Sequence, residues 1–559
     1  GSNLSATRVN EAQLIEKGRE NLILQSNQFD TTWVNSSSTE TSGQSGYDGS
    51  NDAWLISTTA NGGRISQSFS SKSGVHRISV YAKAASSNWM LILANASSNG
   101  DVYFDLENGE VGNVGNVAFD AQIESVGNGW YRCSFAGDYS SLFEVRIYPA
   151  AGNSDVSGNN SIYIQSAQLE QGLVATSVIT TGAGTVQAGL LENTPRLDYS
   201  GGATCPSLLL EPSRTNLVVQ SEYFGASNWT ALRSSIALSS VTSPEGVANA
   251  YKLTTDSTTN NTHIIYYGGT LTSGAYSLSL YAKAAEFSKI GLGTGNLTLS
   301  AKFDLSSGSV ITSGAHTASI ESAGNDWYRC TMVTTTTTPI RIVLLDNDGN
   351  ISFDGDGTSG LYIFGNQAEQ GSYATSYIPT YGTTQTRARD VAYKTGVSSL
   401  IGQTEGTLFV DFDLLSLDGF SGIIDINTAL TTSAKRVLLW ETSAAKISAN
   451  FGTQAPLIDW NTPTIGRNKV VIIYSASICK LFANGVKIGE SSTSGSFSGL
   501  DVVSYVCAGG GVNFQKKNIH QTLLFPTALS DLDAEILTGA TTYNTFAAMA
   551  LALNYTVYE

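Results

Sequence analysis

The sequence predicts an all-β protein of three β-sandwich domains, two of them a tandem duplication, with a short C-terminal helix. Composition is the first ground. Of 559 residues, 41% are hydrophobic and only 14% charged, a balance that suits turn-rich β architecture better than helical bundles or disorder. The second ground is a repeat: YAKAA stands at 81–85 and again at 281–285. The third is alternation, since runs such as HRISVYAKA and IYIQSAQLE switch between apolar and polar residues and end in Gly, Asn and Ser clusters. A chain of this length divides into three or four domains of ordinary size.

Taken in order, residues 1–20 form an N-terminal attachment segment, with the apolar phrase AQLIEKG. The first sandwich spans 21–180 and the second 214–380. NLILQS at 21–26 pairs with NLVVQS at 216–221, and AQIESVGNGWYRCS at 121–134 pairs with ASIESAGNDWYRCT at 318–331, ten of fourteen positions being identical. AQLEQGLVATS at 167–177 pairs with NQAEQGSYATS at 366–376. Each copy is about 160 residues, far above a solenoid period, so these are tandem domains. Connectors occupy 181–213 and 381–404. Residues 1–20 and 181–213, with the apolar phrases AQLIEKG and CPSLLLEP, are too ordered in composition for flexible linkers and too short for cores, and must pack on something. Within the repeat, Lys83 shares a strand face with Tyr81, and Glu170 recurs as Glu369. The reading pairs Lys83 with Glu170 and Lys283 with Glu369 as structural ion pairs on neighbouring strands.

The third domain covers 405–559. TLFVDFDLL places Leu408, Val410, Phe412 and Leu414 on one face, and Asn484-Gly485 marks a hairpin. Ser530 caps a helix whose first turn holds Asp531 and Asp533. From Thr541 the tail reads as a short helix and a last strand, NYTVYE.

A net charge of −16 and a pI near 4.7 argue against nucleic-acid or membrane-surface binding. Cys133, Cys205, Cys330, Cys479 and Cys507 are odd in number, scattered and without a CxxC pair, so free thiols are expected. The longest apolar run, FAAMALAL at 546–553, is short of a membrane span, and no charged-then-apolar leader opens the chain, so export by that route is not expected. No HExxH, GxSxG or ExDxxE spacing occurs, and His76, His263, His316 and His520 are isolated from one another, so no catalytic residues are assigned. Aromatic rings that could lie against a sugar are Trp89, Tyr266 and Tyr267, with Trp54 and Tyr251 in matching places of the two copies. Trp130 and Trp327 recur in both copies and read as structural. The run LLDNDGNISFDGDG gathers Asp346, Asp348, Asp354 and Asp356 as a calcium site or a metal-free acidic turn. Ile351 and Gly357 break the EF-hand template there.

The WYRC block, the SVYAKA strand and the closing QLEQG phrase with ATSYIPT resemble the jelly-roll carbohydrate-binding modules of glycanases and phage structural proteins. The hairpin KLFANGVKIGE and the strand before it resemble the laminin-G or concanavalin A-like lectin fold, over about 405–540. Together they resemble a phage tail-fibre or head-fibre virion protein. The resemblance implies receptor binding: attachment to host cell-surface polysaccharide without cleavage, with no cofactor beyond structural calcium. It further implies assembly with other virion proteins as a homo-oligomer, most simply a trimer, made in the host cytoplasm and located on the phage particle. Two other functions remain open, a non-binding spacer or decoration protein and a polysaccharide depolymerase.

Overall fold

In the computed structural model, residues 3–95, 100–269, 271, 274–295, 297, 300–335, 339–415, 417, 421–429, 436–442, 446–451, 457–492, 497–505, 515–539 and 546–553 are described. The chain divides into two compact units. The first comprises Gly1–Thr7, Gln13–Thr194 and Thr215–Arg387; the second comprises Arg8–Ala12, Pro195–Arg214 and Ala388–Glu559.

The first unit holds the duplication, and strand order proves it. In the second copy one sheet runs Trp229–Leu232, Ile264–Tyr267, Ile340–Leu345, Lys289–Thr294, Ala301–Asp304, Ser309–Thr312. Its partner sheet runs Ser234–Leu238, Tyr251–Thr255, Gly360–Gln370, Tyr276–Lys283, Trp327–Thr334, Thr317–Ser322. The first copy repeats both orders, with one difference: Arg64–Ala84 and Trp130–Ala150 are continuous strands of 21 residues that serve both sheets. Their near ends lie between Val34–Ser36 and Trp89–Ala94, and their far ends between Ser161–Gln171 and Ala118–Gly127. The register slips between Tyr139, Leu142 and Glu144, which is where a strand must bend to change sheets.

Period-two alternation fills each sandwich. Ile78, Val80, Ala82, Cys133, Phe135, Ile162 and Ile164 pack in the first core, and Leu278, Leu280, Ala282, Cys330, Met332, Leu361 and Ile363 in the second. The cysteine of WYRC is thus a small core residue in both copies, and burial pushes both thiols up. The four described cysteines are free. Outside the two sandwiches, strand Ile15–Asn21 pairs with Val186–Gly189, so part of the N-terminal segment and part of the first connector form one ribbon. Ile15 then packs among Ala250, Tyr281, Trp327, Phe364 and Tyr377 of the second copy.

The second unit is a third sandwich, of a seven-stranded and a six-stranded sheet. Leu408, Val410, Phe412 and Leu414 face its core, as their spacing requires. Asn484 (φ 49°) and Gly485 (φ 82°) turn the hairpin joining Ile478–Ala483 to Val486–Ser492. The Ser530 hydroxyl accepts from the Asp533 amide at 3.1 Å and starts helix Asp531–Thr538. A second helix covers Phe546–Ala552; among the described residues no helix is long and apolar enough to cross a membrane. Cys507 and the strand expected over NYTVYE lie outside the described residues. The connector boundaries need correction. Ser207–Leu210 pairs with Lys517–Phe525, and Tyr393–Thr395 with Val502–Ser504, so 195–214 and 388–404 belong to the third sandwich. Leu197–Asp198 and Tyr393–Thr395 are the edge strands of the two sheets, and Ser207–Leu210 lies one place inside the edge.

Candidate functional site

The repeated residues that look most like a site are a clasp. The Glu170 carboxylate accepts from the backbone amide of Thr176 at 3.0 Å, from its hydroxyl, and from the Gln168 amide at 2.6 Å. Gln168 Oε1 accepts from the Ile179 amide at 2.7 Å, and the Arg132 guanidinium donates to the Thr176 carbonyl while lying 5.5 Å over the Tyr81 ring. The second copy repeats this arrangement. Glu369 holds the Thr375 amide at 2.9 Å and its hydroxyl, Gln367 Oε1 accepts from the Ile378 amide at 2.6 Å, and Arg329 covers Tyr281 at 5.5 Å. In each copy the segment after QxEQG therefore folds back as a strap over the outer face of its own sheet. Gly172 (φ 130°) and Gly371 (φ 144°) make the reversal, in a conformation that favours glycine.

This overturns the expected ion pairs. Lys83 lies opposite Tyr163 and Trp130, whereas Glu170 lies opposite Arg77 near the other end of the strand. Lys283 sits opposite Tyr362 and Trp327 and donates to the Asn325 carbonyl at 2.8 Å, while Glu369 lies opposite Ser277. Residues that share a face need not share a row, and sequence spacing alone does not give the antiparallel register.

Most of the expected sugar-binding rings are core. Trp54 is 8% exposed, packs on Phe29 and donates to the Asn27 carbonyl at 3.0 Å. Tyr251 is 3% exposed, and burial raises its phenol well above the ordinary range. Tyr267 packs on Trp229, and its hydroxyl accepts from the Val219 amide at 3.1 Å. Tyr266 is half-buried beside Ile264, Val343 and Leu345, and Trp89 is half-buried with its indole over Gly112. No two of the five form a common plate. Trp130 and Trp327 are buried beneath the straps.

The four aspartates do not converge either. Asp346 accepts from the amides of Asp348 and Asn350, Asp354 from Asn260, and Asp356 from Thr358 and Ser359. Asp346 and Asp356 thus close their own turns, while Asp354 ties its segment to the loop at Asn260, 94 positions earlier. Among the described residues no group of three or more His, Cys, Asp or Glu side chains is placed to hold a metal.

What sequence reasoning missed lies in the second unit. On strand Glu405–Leu414 the residues opposite the core-facing row are Phe409, Asp411 and Asp413. Register sets Asp411 between Lys469 and Gln521, and Asp413 beside Arg467. The Arg467 fork grips Asp411 through Nε at 2.8 Å and Nη2 at 2.9 Å, which raises its pKa. His520 Nε2 lies 3.0 Å from Asp413. With Asp198, Ser200, Cys205 and Asn518 these groups line a groove of about 680 Å³. Burial lowers the Lys469 ammonium pKa, against the pull of Asp411. The groove presents both donors and acceptors, the kind of lining that suits a hydroxyl-rich ligand. The signal was legible in VDFD, two carboxylates on the face away from the core; the partners came only with the sheet register.

No protein-family model matches the sequence, and no curated protein matches it. Among solved structures, a carbohydrate-binding module of the Ruminococcus gnavus IT-sialidase, bound to α2,3-sialyllactose, overlaps 25% of this chain and 86% of its own at 18% identity and a TM-score of 0.23. Domains LG4-5 of the mouse laminin α1 chain overlap 49% of this chain and 90% of theirs at 8% identity and a TM-score of 0.18. A SAP-like pentraxin from Limulus polyphemus overlaps 23% and 68% at 11% identity and a TM-score of 0.21. Likeness at this level transfers no function, and the fold assignment rests on the strand order above.

Proposed function

We propose that the protein binds a glycan without cleaving it, through the groove of the third sandwich, and that the first two sandwiches are a joined spacer. One contrast carries this reading. The strapped faces of both repeated sandwiches are filled by their own chain, whereas the groove around Asp411, Asp413, Arg467 and His520 is open and polar. The resemblance of the repeated phrases to phage fibre proteins supplies the setting: a virion receptor-binding protein, homo-oligomeric and trimeric, engaging host polysaccharide. Several weak sites on one assembly then add avidity. A glycan array probed with the full chain, followed by measurement of reducing ends released from bound polysaccharide, tests the reading. Binding without release supports the adhesin; release supports the depolymerase; no binding leaves the spacer alone.

A further inference from the structure

We propose that the first unit carries a second, separate site that binds a small hydroxylated carboxylate, a sugar acid of monosaccharide size. The site is a pocket of about 340 Å³ between the two sandwiches. Five stretches build it: the first turn at Leu4, the N-terminal strand with Lys17 and Arg19, residues 71–76 with Lys72 and Ser73, the strand end at Gln171, and the segment 379–385 that follows the second strap. A volume of this order is at the lower end of small-molecule sites and suits one sugar ring.

Its charge is the reason to expect an anion. The protein as a whole carries −16, yet three cations reach this wall. Lys17 is engaged by Glu222 and Glu245, and Arg19 gives only Nη2 to Glu245, at 3.3 Å. Arg19 Nη1 is shielded from solvent and has no hydrogen-bond partner among the described residues, a state that a buried guanidinium leaves by meeting an acceptor. Lys72 forms no ion pair among the described residues. The carboxylate on the wall, Glu20, accepts from the Thr185 hydroxyl at 2.7 Å. A ligand carboxylate near Lys72 and Arg19 would supply the missing acceptor, and Ser73 and Gln171 stand where ring hydroxyls would need partners.

This site does not depend on the groove of the third sandwich. Calorimetric titration of the full chain with glucuronate, glucose and inorganic sulfate tests it. Glucuronate is expected to bind more tightly than either of the others. Lys72→Met should weaken glucuronate at least tenfold and Lys72→Arg should retain it, while Lys394→Met, at an exposed position of the other unit, should leave it unchanged. Equal binding of glucose or of sulfate, no glucuronate binding, or full affinity in Lys72→Met would each overturn the proposal. Because Lys72 forms no ion pair among the described residues, a lost signal in that variant with an unchanged unfolding midpoint reports the site itself.

Discussion

Lys17 Nζ lies 2.8 Å from Oε1 of Glu222, 205 positions later in the chain, and both side chains are nearly inaccessible, at 3% and 1% exposed. Glu245 meets the same ammonium, Arg19 reaches Glu245, and the hydroxyls of Tyr381 and Tyr377 donate to Glu222 at 3.0 and 3.2 Å. Two cations and two carboxylates thus meet where the N-terminal strand crosses onto the second sandwich. Burial drives the Glu222 carboxyl up, and Glu245 beside it adds to the shift; for Glu245, burial also raises, but Lys17 and Arg19 outweigh it and leave it below the ordinary range. The first two sandwiches are joined by charge as well as by the stacking of Phe119 on Tyr223, centroids 4.5 Å apart.

Removing Lys17 takes away the ammonium that Glu222 and Glu245 share, and leaves Arg19 to meet Glu245. Lys17→Met is expected to destabilise the first unit by about 3–5 kcal/mol. The double variant Lys17→Met, Glu222→Gln should recover part of the loss, because the charge that Lys17 met at position 222 goes with it. Urea unfolding followed by tryptophan fluorescence gives both values. A Lys17→Met chain as stable as the parent would show that the cluster does not hold the sandwiches together.

The clasp yields a prediction that uses the duplication as its own control. In Glu369→Gln an acceptor-only carboxylate becomes an amide, so the Thr375 amide and hydroxyl lose a charged partner in a fully buried place. A loss of about 2–3 kcal/mol is expected, and Glu170→Gln should cost a similar amount in the first copy. Hydrogen exchange should rise at 372–378 in the first variant and at 173–179 in the second. Unchanged protection in both would mean that the straps are held by their apolar contacts alone.

Much of this architecture was legible in the sequence, because alternation and duplication are local patterns. The inward rows of Ile78, Val80, Ala82 and of Leu408, Val410, Phe412 follow from period two, and Ser530 and Asn484-Gly485 from cap and turn chemistry. Pairings were not. Glu170 recurs because it holds a strap six residues downstream, not because Lys83 is beside it, and only the register between Arg64–Ala84 and Ser161–Gln171 shows that. Likewise Lys17 with Glu222, and Asp413 with His520, are brought together across 205 and 107 positions. Short strands such as Ser207–Leu210 look like connector because four residues give too few alternations to declare a strand.

The groove of the third sandwich makes a sharper claim than binding alone. His520→Ala and Asp413→Asn each remove one member of a polar pair that faces the cavity, so each should weaken glycan binding by about 10- to 100-fold, the value of one or two charge-assisted hydrogen bonds. Trp89→Ala, in a different sandwich, should leave affinity unchanged. Surface plasmon resonance on the best array hit measures all three; the reverse pattern would move the site to the first copy.

His76 ties the first unit to pH. It is 2% exposed, its Nδ1 donates to the Gly74 carbonyl at 3.1 Å, and burial, aided by the nearby positive charge of Lys72, lowers its pKa from 6.5 to about 4. The unfolded chain takes up a proton near pH 6.5 while the folded chain resists until about pH 4. Between those values the unfolded state binds more protons, and stability falls as pH falls. The shift corresponds to about 3 kcal/mol, present in full above pH 6.5 and lost by pH 4. His76→Gln cannot titrate, so it should lose some packing at pH 7 yet decline less on acidification. The stability difference between parent and variant, measured by urea unfolding at pH 7.0, 5.5 and 4.0, should shrink or reverse by roughly that 3 kcal/mol across the series. A constant difference would mean that the histidine is protonated in the fold, with its charge met by a group that now faces it only through solvent.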